Sequence, residues 1–279
     1  MRAAEAVPAS PEIPRLGIVS WRRFRAEMLQ FRRTREAVFF TVLFPAVMLM
    51  LFGTIFHGQT ISGPAVEVSF AQYFVAGMIG AGIWGSCFQN LAIMVPLERD
   101  TGALKRLAGT PMPRTAYFIG KIALVLLLTV IECVLLIALG AAFYGLKLPP
   151  AGQWLTFGWV VVLGVASCTL MGLAVAGVIR HGRSASAVVT PFAIVMQFLS
   201  GVYFVYGDLP GWLQAVGAVF PLKWITQGMR SVFLPPSFRV VEPQHSWQHA
   251  QGALVLGAWC VVGLFVAVRT FRWTPTRGG

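Results

Sequence analysis

Glu132 is the one formally charged residue inside the six long apolar runs of this chain. In hydrocarbon an ionised acid costs roughly 2.5 to 3.5 kcal/mol on insertion scales, so its carboxyl needs either its proton or a hydrogen-bond donor. Ser86 and Ser167 lie at comparable depth if the helices stand upright, and each can donate. Glu132 then reads as a substrate or proton site, or as an interhelical clamp. Two polar faces accompany it. Gly82, Ser86, Gln89 and Asn90 fall on one side of a helix at steps of three and four, and so do Thr190, Gln197 and Gly201. With Phe88 and Phe198 as apolar contacts, these faces either line a pocket open to the cytosol or pack as ordinary core and lipid-facing surface.

Other chemistries lack their residues. Gly120-Lys121 has Thr115 where a phosphate loop begins with glycine and Ile122 where it requires Ser or Thr, so no phosphate cradle forms. The runs contain no His-Glu-x-x-His, no nucleophile beside a base and no paired acids, while His57, His245 and His249 lie outside them. Cys87, Cys133, Cys168 and Cys260 all fall within runs without metal-ligand spacing, and read as small buried hydrophobes. No residue is therefore assigned to catalysis, to a cofactor or to a metal.

The elements that must position these residues are the runs themselves, 38–56, 70–97, 122–146, 154–179, 184–207 and 250–268. Each is near the roughly 20 residues that a spanning helix needs. Hydrocarbon offers no partner to free peptide groups, so each must be a helix, which predicts an all-α membrane protein with six transmembrane helices. Eighteen of the Lys and Arg residues fall on one side of the spans and four on the other, which places both termini in the cytosol. The net charge of +12 is thus a topology signal; its charges flank spans and form no groove-sized patch, so no nucleic-acid partner is expected. The first residues lack the apolar core of a cleavable signal, and the first run is expected to serve as signal anchor.

Ahead of that run, Trp21, Phe24, Met28 and Phe31 recur at helical spacing, which predicts an N-terminal helix on the inner membrane surface, with Arg25, Arg32 and Arg35 snorkelling to phosphates. A cationic topology anchor is the simpler alternative. The outer gap 208–249 carries two helical patterns, one ended by Pro221 and the other by Pro235-Pro236. These short helices either re-enter the membrane or rest at its surface with Trp212 and Trp224 in the aromatic belt. Gly77, Ala81 and Gly85, and Gly172 with Ala176, allow close helix approach. The expected division is a cytosolic tail and interfacial helix over 1–37, a transmembrane domain over 38–268 and a cytosolic tail over 269–279.

The segment 97–121 is the most charged stretch after the N-terminal tail. Leu97, Leu104 and Leu107 sit at helical spacing with acids ahead of bases, as in a short amphipathic helix under the membrane. Glu98, Gly102, Leu104, Lys105, Arg106, Leu107, Thr110 and Pro111, followed by Gly120-Lys121, resemble the cytosolic loop of type-2 permeases of ABC exporters. The similarity covers nearly the whole chain, including a Pro-and-Arg element over 221–230, and is nearest to permeases with drug-resistance roles of the daunorubicin kind. Ala103 departs from the Thr found in many members.

The resemblance implies that this loop is a coupling helix docking on a separate ATPase subunit, through Glu98, Arg99, Asp100, Gly102, Leu104, Lys105, Arg106, Leu107, Thr110 and Pro111. ATP and Mg would bind that partner. It also implies that two copies, as a homodimer in the plasma (bacterial inner) membrane and among its lipids, form the pathway. Spans two and five would border it, with Ser86, Phe88, Gln89, Asn90, Glu132, Thr190, Gln197 and Phe198 as candidates to line it. The implied cargo is a hydrophobic or amphipathic small molecule, as in multidrug or antibiotic efflux, although related permeases move lipids, glycans or ions. An ion-coupled secondary transporter is the rival class, and would need more acids or broken helices near the midplane.

Overall fold

The computed structural model describes residues 15–63, 66–110 and 112–271. The tail ahead of Arg15, Pro111 in the loop and the tail beyond Phe271 lie outside the described residues. Helix α1 (Leu16–Arg33) packs on the N-terminal part of α7 (Arg114–Tyr144). It meets α7 through the face of Ser20 and Glu27, which are buried, while Trp21 stays 64% exposed. Of the aromatic stripe, Trp21 thus faces away from the protein, while Phe24, Met28 and Phe31 are half-buried.

Each of the first two spans contains a π turn. In the first, Phe39–Leu43 joins α2 (Arg35–Val38) to α3 (Phe44–Ile55) directly before Pro45. Proline lacks the amide hydrogen and crowds the turn behind it, and the wider turn takes up that mismatch. In the second, Trp84–Gln89 joins α4 (Phe70–Ile83) to α5 (Asn90–Asp100). Then follow α6 (Ala103–Ala108), α7, α8 (Ala151–Val178), α9 (Ala185–Leu199), α10 (Gly211–Val219), α11 (Pro221–Phe233) and α12 (His249–Thr270).

Among the described residues, five helices are long and apolar enough to cross a membrane: Arg35–Ile55, Phe70–Asp100, Arg114–Tyr144, Ala151–Val178 and His249–Thr270. The run 184–207 is helical only over Ala185–Leu199, because the chain turns at Ser200-Gly201. At 1.5 Å per residue α9 is about 22 Å long, against a hydrocarbon core of about 30 Å.

The centre of the bundle is built from the second and fourth spans and α11. Every residue of α11 is buried, including Lys223, Thr226, Gln227 and Arg230. Thr226 lies against Gly80 of α4, Gly228 against Val160 of α8, and Trp224 against Gly252 of α12. The two helices expected in the gap 208–249 are therefore present, and the second packs against α4, α8 and α12. A short antiparallel hairpin, β1 (Thr60–Gly63) with β2 (Val66–Ser69), is added to the all-helical expectation and pairs Ile61 with Val68. Val68 joins Tyr73, Leu234 and Phe238 in a small apolar cluster at the end of the bundle away from the loop 97–121.

Gly172 admits the closest backbone approach on the π turn of the second span: a Cβ there would lie 2.8 Å from the Phe88 carbonyl oxygen. A Cβ at Gly85 would meet nothing within 4 Å. Gly172→Leu is therefore expected to destabilise the bundle by about 1–3 kcal/mol through overpacking, whereas Gly85→Ala should leave the thermal unfolding midpoint in detergent nearly unchanged.

Candidate functional site

The charged loop divides into a buried root and an exposed tip. At the root, Lys121 of α7 donates to two carboxylates, to Glu27 Oε2 of α1 at 3.0 Å and to Glu98 Oε1 of α5. The Tyr117 hydroxyl donates to the other oxygen of Glu98 at 2.8 Å. Arg23 pairs with Glu27 one turn along α1, and its guanidinium stands 3.9 Å from Glu98 and 5.1 Å from the centre of the Tyr117 ring. Two acids and two bases thus meet in a cluster of zero formal charge where Glu27, Glu98 and Lys121 are 4–7% exposed.

Arg99 ties the same root elsewhere. Its guanidinium donates to the carbonyls of Ile179 and Arg180, the latter at 3.0 Å, and so satisfies acceptors left free where α8 ends. Asp100 accepts from the backbone amide of Gly182, at the entry to α9. Gly102 then adopts a left-handed φ of 74° and starts α6, whose Leu104 is fully buried. Beyond it Lys105, Arg106 and Thr110 are exposed and Leu107 is half-buried. Of the loop residues singled out from sequence, Glu98, Arg99 and Leu104 are thus buried framework, and Lys105, Arg106 and Thr110 are presented outward.

Within the spans, Ser86 and not Ser167 is the partner of Glu132: Ser86 Oγ donates to Glu132 Oε2 at 2.6 Å, while Ser167 bonds the Gly164 carbonyl of its own helix. Gly82 makes room for the acid, since a Cβ there would stand 3.2 Å from Glu132 Oε2. The π turn separates residues that regular helical geometry would align. Ser86 turns to α7, Gln89 turns to α9, where its amide lies 3.5 Å from Thr190 Oγ1, and Phe88 stacks on Trp84 with ring centres 4.1 Å apart. Ser86, Phe88 and Glu132 are buried; Gln89, Asn90, Thr190 and Gln197 are half-buried, and Phe198 is 43% exposed. Gln197 accepts from the Tyr203 hydroxyl at 2.6 Å. The second group of candidates lies where a molecule can reach it, and the first does not.

Sequence reasoning passed over the outer ion pair. Arg230 of α11 makes a two-pronged contact with Glu242 and donates to the Gly201 carbonyl at 3.2 Å, which also accepts from Tyr73 at 3.2 Å. Two turns earlier Lys223, only 2% exposed, has Gln248 Oε1 at 3.2 Å and the faces of Trp224 and Tyr206.

The family model described as ABC-2 type transporter matches residues 18–234, from α1 through α11. A chain described as transport permease ycf38 from Porphyra purpurea is 24% identical over 211 residues, covering 74% of this chain and 70% of the relative. Its counterpart in Cyanophora paradoxa is 23% identical over 207 residues, again 74% and 70% of the two chains. A chain described as multidrug ABC transporter permease YbhR from Escherichia coli (strain K12) is 25% identical over 143 residues, covering 51% of this chain and 38% of the relative.

Removing Lys121 leaves buried carboxylates short of a cation, so Lys121→Met is expected to cost about 3–5 kcal/mol in unfolding free energy. Tyr117→Phe should cost about 1–3 kcal/mol.

Proposed function

Because this chain belongs to the ABC-2 type transporter family, it is a multi-pass membrane permease of an ABC transporter, and we propose that it exports hydrophobic or amphipathic small molecules, as in multidrug or antibiotic efflux. In this reading a separate ATPase subunit binds ATP and Mg and docks on the exposed basic tip of the loop between the second and third spans. The observation that carries it is the contrast between that free tip, Lys105 and Arg106, and a root tied to four other helices through Glu98, Arg99 and Asp100.

A push on the tip then travels by two routes. Arg99 and Asp100 pass it to the end of α8 and the start of α9, and Glu98 passes it through Lys121 to α7 and through Glu27 to α1. The second span and α9 touch through the long Gln89 to Thr190 contact and through Phe192 packed on Trp84 and Phe88. We assign the opening of the pathway to the parting of these two elements in each of two copies in the plasma membrane. The exposed Val188, Val195 and Phe198 of α9 offer an apolar wall suited to an apolar cargo. For the membrane placement, α9 with the inserted α11 completes a sixth crossing, so that both termini are cytosolic. Glu132, held by Ser86 away from accessible surface, serves as a clamp between the second and third spans.

Lys105→Glu combined with Arg106→Glu is the direct test, since Glu98 and Arg99 also hold the fold. Affinity-purified natural permease from its host should bring down an ATPase subunit identified by mass spectrometry, and cells should extrude ethidium in an energy-dependent way. The double variant should insert normally yet lose both; retention of both would sink the coupling role. Glu132→Gln, which keeps an acceptor for Ser86, should retain at least about half of ethidium efflux, and complete loss in a well-inserted protein would assign the carboxylate to transport.

A further inference from the structure

A groove of about 450 Å³ lies between α1 and the start of α7, away from both the loop tip and the α9 pathway. Gly17, Trp21 and Phe24 on α1 and Ile119 and Ala123 on α7 line it, with Ser20 the only hydroxyl. Ser20 is 5% exposed, and its Oγ is buried without a hydrogen-bond partner. One turn along the same helix, Arg23 Nε is likewise buried without an acceptor. A buried hydroxyl normally finds a partner, so an unsatisfied one inside an apolar groove marks where an acceptor belongs. The Ser20 hydroxyl can donate, and the ligand that suits it has oxygen acceptors at one end and hydrocarbon at the other.

The charge of α1 selects among such ligands. Arg15, Arg22 and Arg25 are exposed on or next to the same helix, and the only acid of the helix, Glu27, is already held by Lys121 and Arg23. Trp21, exposed at the groove edge, is of the type that sits at headgroup level. We propose that this groove binds one anionic glycerophospholipid of the inner leaflet, its acyl chain along Phe24, Ile119 and Ala123 and its phosphate or ester oxygens at Ser20. The inference rests on the reading that α1 lies on the inner membrane surface. Lys121 lies between Ile119 and Ala123 on α7, and its partner Glu27 is on α1, so the bound lipid braces the two helices that the ion cluster joins. The lipid would thereby set how firmly the loop root is held.

Full-length permease purified in mild detergent is incubated with phosphatidylglycerol, phosphatidylcholine, palmitate or inorganic phosphate, and bound molecules are counted by native mass spectrometry alongside thermal melts. One phosphatidylglycerol per chain should be retained and should raise the melting midpoint, with phosphatidylcholine at least about tenfold weaker and palmitate or phosphate alone ineffective. Gly17→Leu should abolish retention by filling the groove; a Cβ at Gly17 meets nothing within 4 Å, so the lipid-free melt should not change. Ser20→Ala should weaken retention about tenfold. Equal retention in Gly17→Leu and the natural chain, or equal retention of the two phospholipids, would overturn the site. Arg25→Cys, on the exposed side of α1, should react with an impermeant thiol reagent in inside-out vesicles only. Reaction from the outer side would overturn the leaflet assignment and the underlying topology together, whereas inside-only reaction with failed retention would refute the lipid site alone.

Discussion

Lys121 is shared by two carboxylates from two other elements, and none of the three has enough water around it to stand alone. A buried charge that loses its partner costs several kcal/mol, so the three helices bearing Glu27, Glu98 and Lys121 are constrained to stay together. This constraint gives the neighbouring loop its shape. Helix α6 is too short to be stable by itself, because helix nucleation is unfavourable and only packing can offset it. Its order comes from a buried Leu104 and from a root pinned on one side to α1 and α7 and on the other to the end of α8. Two exposed cations are thereby held out at a defined place without any rigidity of their own.

The same economy of charge governs the outer end. Arg230 and Glu242 neutralise one another, and Arg230 and Tyr73 both donate to the Gly201 carbonyl, which fixes the bend after α9 to helix α11. Lys223 on that helix is less completely paired, with one amide oxygen and two aromatic faces. Between these two ends the contacts among spans are short hydrogen bonds and close backbone approaches, such as Ser86 to Glu132 and Gly172 against the π turn. Ion pairs gather at the two ends because hydrocarbon penalises them everywhere between.

Much of the fold is legible because a bilayer leaves the chain few options. Apolar runs such as 122–146 and 154–179 had to be helices, and Pro210, Pro221 and Pro235 bracket α10 and α11 in the sequence as they do in the structure. The bend at Ser200-Gly201 left no mark in hydropathy, since Val202 to Tyr206 is as apolar as the helix before it. The loop was readable as charged and amphipathic, yet Glu98, Arg99, Lys105 and Arg106 look alike in composition, and only distant partners on α7 and α8 separate framework from tip. Glu27 did leave a trace, as the only acid in a strongly basic helix. Ser86 and Ser167 were indistinguishable by depth; helix rotation chose between them.

The π turn at Trp84–Gln89 has a further meaning for how this chain tolerates change. A wide turn accommodates one residue beyond regular helical winding, so everything after it, down to Glu98, Arg99 and Asp100, is phased to that extra position. Each residue advances a helix by about 100°. Deleting a single amino acid there would swing the acid away from Lys121 and the guanidinium away from the carbonyls of Ile179 and Arg180, although every side chain involved would survive. In this span the spacing of the alphabet is more vulnerable than its letters.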